Sequence, residues 1–175
     1  MQTKDMTGGL KEPNMFKPLL ALIDLSASTG IANAQTSNTG RWILEVAPTG
    51  CVVHTASPSG TVVSIWGIAG ENDLSFLVQN KGWNSLSDGE QYDIEVSFDN
   101  QRAFPMQATA RLNLDSDGPG LTFGVKPDHR AGGASFVDQF AGAQGMHITR
   151  DGRRIDTVSL ADTKVAMQGL AKCLS

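Results

Sequence analysis

Apolar and polar positions alternate with period two over most of the stretch from Arg41 to Val125, and Gly, Pro, Asn and Asp clusters interrupt the alternation at short intervals. The clearest segment is Gln91 to Asp99, where Tyr92, Ile94, Val96 and Phe98 point one way and Asp93, Glu95, Ser97 and Asp99 the other. Pro105 to Leu114 repeats the pattern, with Met106, Ala108, Ala110, Leu112 and Leu114 on the inner side. Both read as half-buried antiparallel strands. Arg41 to Ala47 and Leu74 to Asn80 are further strands, and His54 follows an apolar one. Thr61 to Ala69 carries apolar side chains on both faces, which predicts a central strand covered on each side, with Trp42 and Trp66 in the core.

After Val125 the period changes. Ser135-Phe136-Val137-Asp138 has the outline of a capping box, a hydroxyl at the N-cap with a carboxylate three residues on. A helix to about Gln144 follows, with Phe136, Val137, Phe140 and Ala141 on one face and Gly145 as its stop. Asp151-Gly152 between Met146 to Arg150 and Arg153 to Leu160 is a two-residue hairpin signal. Asp162 is placed to cap a last helix, in which Ala166, Gly169, Leu170 and Cys173 recur at i, i+3, i+4 and i+7. The reading is α+β, mostly β: an antiparallel sandwich or strongly curved sheet with two short helices near the C-terminus, in a single domain over residues 35–175 without linker or repeat.

Residues 1–34 read differently. Lys17, the apolar run Leu19 to Ile23, and Ala32-Asn33-Ala34 form the charged, apolar and small-x-small parts of a secretory signal cut before Gln35. Asp24 interrupts the apolar run, and a polar leader precedes Met15, which is an alternative translation start to Met1. The competing reading is a disordered or loosely helical tail. No later run approaches the ~18 apolar residues of a membrane span, so the mature chain carries none. An exported chain with two cysteines suggests one bridge, Cys51 to Cys173, worth at most about 5 kcal/mol for so long a loop; two buried thiols are the alternative.

Composition removes several functions. Charged residues are 18% of the 175, the net charge is −4 and no basic cluster is longer than Arg153-Arg154, so an electrostatic grip on nucleic acid is excluded. The nucleophile elbow, the HExxH zinc motif, the phosphate loop and the dinucleotide fingerprint are absent, and no catalytic set, metal or cofactor is assigned. Asp115-Ser116-Asp117-Gly118-Pro119-Gly120 resembles the opening of a calcium loop, but its twelfth position is Lys126 where a bidentate glutamate belongs. Asp93 and Glu95 stand about 7 Å apart by strand geometry, near glycosidase separations, yet alternating carboxylates are also what a solvated strand face looks like.

Trp83, in the polar turn Asn80 to Ser85, either covers an edge of the core or offers a stacking platform, with Lys81 and Asn84 beside it as candidate binding residues. The order Trp42, Cys51, Asn80-x-x-Trp83, Gly89-x-x-Tyr92, Phe98-Asp99, a late Asp-Gly hairpin and a terminal helix ending at Cys173 resembles a small exported domain of unknown function found in alphaproteobacterial envelopes. It is similar, more distantly, to the invasion-associated locus B type of periplasmic protein. The resemblance implies a periplasmic or secreted binding or accessory module, with an envelope protein or glycan as its partner. It carries no catalytic residues over. An unrecognised periplasmic hydrolase, with His54 or His129 as base, and a self-associating structural envelope protein are the alternatives.

Overall fold

The computed structural model describes residues 35–175 except Asn113, Asp115, Ser116, Pro127 and Gly132. The leader and signal expected at 1–34, and the first two positions of the calcium-like loop, therefore lie outside the described residues. Ten strands form one antiparallel sheet: β1 (Gln35–Thr39), β2 (Trp42–Ala47), β3 (Gly50–Ala56), β4 (Thr61–Ile68), β5 (Leu74–Asn80), β6 (Gln91–Phe98), β7 (Phe104–Arg111), β8 (Gly120–Val125), β11 (Gly145–Arg150) and β12 (Arg153–Ser159). Their spatial order is β1-β2-β3-β4-β5-β8-β7-β6-β11-β12. A separate two-stranded pair, β9 (Arg130–Ala131) with β10 (Ala134–Ser135), leads into α1 (Phe136–Gly142), and the chain ends in α2 (Thr163–Leu174).

So wide a sheet, with apolar residues alternating along each strand, buries that face only by curling on itself or stacking against a second layer. It curls. The inner face carries Val53, Val63, Ile65, Phe76, Val78, Val96 and Phe98, all fully buried. Helix α1 fills the curl. The Phe136 ring lies 4.9 to 5.3 Å, centre to centre and near-perpendicular, from those of Phe76, Phe98 and Phe104. Phe140 reaches Phe76 at 5.3 Å and Trp42 at 6.0 Å, edge to face. Such packing adds about 0.5–1.5 kcal/mol per pair to the burial of the rings.

Three polar devices hold the curl. Thr61 Oγ1 at the start of β4 donates to Asp156 Oδ2 of β12 at 2.8 Å, and Asn80 Nδ2 at the end of β5 donates to Thr61 Oγ1 at 2.8 Å, so opposite parts of the sheet are fastened across one end. Asp99, left-handed with φ 47°, accepts from the backbone amides of Gly145 at 2.8 Å and Gln144 at 3.2 Å. It thereby ends α1 before the predicted stop and starts β11. Trp42 Nε1 donates to the Ala161 carbonyl at 3.1 Å, tying the approach to α2 onto β2. Cys51 of β3 and Cys173 of α2, 122 positions apart, form a disulfide with their Cα atoms 6.3 Å from each other.

The capping box is as read, with the Asp138 amide donating to Ser135 Oγ at 3.1 Å. Asp151 and Gly152 both take positive φ, 53° and 72°, as a type I′ turn requires. Asp162 precedes α2 but does not cap it: its side chain turns to the Arg41 amide, 3.2 Å away, and Thr163 Oγ1 instead bonds the Leu160 carbonyl. Leu112 and Leu114 are not the inner residues expected. Strand β7 ends at Arg111, and Leu114 is 46% exposed.

Strand β4 is covered on one side only. Helix α2 packs on the inner face, where a Cβ at Gly67 would fall 2.6 Å from Leu174 Cδ1. Trp66 shares its face with Val62 and Ile68 and is half-buried on the outside, so the expectation of a core Trp66 is corrected. Alternation in a two-faced apolar strand does not say which face is inner.

Replacing Phe136 with alanine should cost about 3–5 kcal/mol in urea unfolding, the range for a fully buried ring whose neighbours cannot collapse inward. A loss under about 1 kcal/mol would mean that the rings are not packed as described.

Candidate functional site

The concavity with the most apolar lining lies between the two helices and the adjacent ends of β5 and β8, with a volume of about 440 Å³. Its floor begins with Leu74 and Val125, which face each other across the β5–β8 ladder. Helix α2 supplies Met167, Leu170 and Leu174, spaced i, i+3 and i+7 on one stripe, and α1 supplies Val137. Glu71, Arg130 and Asp138 stand exposed at the rim, where Arg130 Nη1 donates to the Gly133 carbonyl at 3.0 Å. An apolar floor with charged groups only at the margin suits an apolar group carried on a polar body.

The sequence placed none of this in a site. It assigned the inner stripe of α2 to Ala166, Gly169, Leu170 and Cys173, whereas Thr163, Ala166, Met167 and Leu170 are the buried set. Completing that stripe through Met167 was the available signal. The pairing of Leu74 with Val125 depends on β8 lying next to β5, which no local pattern reveals.

Trp83 is half-buried and packs against the core, while Lys81 and Asn84 are exposed. Asn80 shapes that turn: its Oδ1 accepts from the Gly82 amide at 2.8 Å and its carbonyl from the Trp83 amide at 3.0 Å. The indole covers the core at this point with part of its edge left to solvent.

The histidines are not gathered. His54 sits half-buried on the outer face of β3, and the His129 ring lies 5.6 Å from that of Phe104 in the connection to β9. Neither is hydrogen-bonded to a carboxylate that would orient it as a base. His147 Nδ1 is 3.1 Å from Thr157 Oγ1, and partial burial, then the Arg154 charge, hold its pKa below the usual imidazole value despite an opposing pull from Asp99. Asp93 and Glu95 are both exposed on the outer face of β6, beside a shallow hollow that Asp151 also lines. Among the described residues no group of three His, Cys, Asp or Glu side chains could hold a metal ion, and no helix is long and apolar enough to cross a membrane.

No family model matches the chain, and neither does any curated protein or solved structure with which it was compared.

The lowered His147 pKa has a direction. The unfolded chain binds its proton first as pH falls from about 6.5, so this group's contribution is present above that value and is lost as pH drops toward the folded pKa. Urea midpoints of His147→Gln between pH 8 and 5 should fall less on acidification than those of the parent; parallel curves would remove His147 from the acid response.

Proposed function

We propose that this chain is an exported binding or accessory module, periplasmic or secreted, that recognises a component or protein partner of the bacterial envelope. The observation that carries this reading is the groove between α1 and α2, whose apolar floor is built on rigid elements and whose charged groups stand only at its rim. The disulfide between Cys51 and Cys173 supports the compartment, since such bonds persist where the surroundings are oxidising. The resemblance to exported alphaproteobacterial envelope domains points the same way. A partner would seat one or two apolar side chains against Leu74, Met167 and Leu174 while its polar groups meet Glu71, Asp138 and Arg130.

The test uses Ala171, which lines the groove from an exposed position on α2. Ala171→Arg should obstruct the groove without entering the core. Retention of envelope partners on the immobilised oxidised protein should fall at least tenfold while the melting temperature is unchanged. Capture equal to that of the parent would contradict the groove. Trp83→Ala separates the other surface: it should lower stability by about 1–3 kcal/mol, because half of a packed indole is lost. If it instead abolished capture at unchanged stability, the turn of Lys81, Trp83 and Asn84 would be the interface.

A further inference from the structure

The outer face of the sheet around Trp66 is a second surface, independent of the groove. The ladder registers align Glu45, Val52, Trp66, Ser75 and Gly124 in one row across β2, β3, β4, β5 and β8. The next row is Ile43, His54, Ser64, Leu77 and Thr122. No described helix or strand packs on this side. A half-exposed indole therefore stands next to a floor made of Ser75 and Gly124, and a Cβ added at Gly124 would meet nothing within 4 Å. The side chains of Ser64, Ser75, Thr122, His54 and Glu45 have no hydrogen-bond partners among the described residues.

Three properties select the occupant. The first is size: with strands about 4.8 Å apart and same-face residues about 6.8 Å apart, the patch measures roughly 20 by 14 Å. That is on the order of 300 Å², well short of the ~800 Å² per partner that a stable protein–protein contact buries. The second is charge, since these two rows contain no Lys or Arg, so anionic polymers and anionic lipid surfaces find no complement. The third is chemistry. A flat aromatic face beside a shallow trough with unpaired hydroxyls, one imidazole and one carboxylate suits a ring that is apolar on its face and hydroxylated at its edge. We infer that the Trp66 face binds a neutral β-linked oligosaccharide, one pyranose ring stacked on the indole and its hydroxyls bonded to Ser75, Ser64 and Thr122. The rows run across the strands, so a chain of several sugars lies along the Trp66 row with its leading ring over Ser75 and Gly124.

The experiment is calorimetric titration of the oxidised protein with cellohexaose and with chitohexaose, which share the equatorial linkage and differ in the N-acetyl group. Saturable binding of either is expected, weakened at least tenfold by Trp66→Ala. Gly124→Arg fills the trough from a position where the added side chain has open space, and should weaken binding by at least tenfold with Trp66 intact. Ala171→Arg should bind sugar like the parent, so failure of the groove and failure of this face are read separately. No heat above dilution with either sugar at millimolar concentration would overturn the inference, as would parental affinity in both face variants. Trp66-dependent dimerisation in light scattering, or Trp66-dependent partition onto phosphatidylcholine vesicles, without sugar binding, would assign the face to a second copy or to lipid instead.

Discussion

Burial of the Phe136 and Phe140 rings inside the curl of the sheet is the interaction on which the other features of this domain depend. An open antiparallel sheet of ten strands has no reason to bend sharply unless something apolar occupies its hollow. Helix α1 is only seven residues long, too short to be stable alone, so it exists because its two rings are held by Trp42, Phe76, Phe98 and Phe104. The dependence is mutual. Ser135 caps the helix and Asp99 terminates it, which leaves the rings no register but the one that meets the strands.

The remaining fastenings complete the enclosure from the outside. Thr61, Asn80 and Asp156 draw β12 toward β4 and β5, and the disulfide ties α2 to β3, next to the site where Gly67 admits Leu174. With the hollow filled, binding is left to what the curl exposes. Two surfaces then differ in kind: a groove where helices meet strand ends, apolar at its base, and a flat outer face with an aromatic and unpaired hydroxyls. The first suits a side chain presented by a partner, the second a ring.

Much of the architecture was legible along the chain because its signals are local. The alternation in Gln91 to Asp99, the Asp-Gly turn, the Ser135 cap and the apolar Leu74 to Asn80 all report conditions that act within a few residues. Strand β1 was illegible: Gln35–Thr39 contains no apolar residue and is held at the sheet edge by backbone pairing with β2. Asp162 was read as a helix cap since a carboxylate at that position usually is one, but the Arg41 amide from 121 residues away competes for it. Trp66 went to the wrong face because Thr61 to Ile68 is apolar on both sides, and only the position of α2 decides between them. The groove was invisible for a related reason, as its floor joins β5 to β8 and both to α2 through contacts remote in sequence.

The central claim, an exported domain whose enclosure is completed by an oxidised Cys51–Cys173 pair, is tested most directly by the intact mass of the protein recovered from the cells that make it. Alkylation before and after reduction is read in the same experiment. The expected result is a chain beginning at Gln35 with no alkylated thiol until reduction and two afterwards. A chain retaining its leader, with both thiols alkylated at once, would contradict the compartment and the staple together.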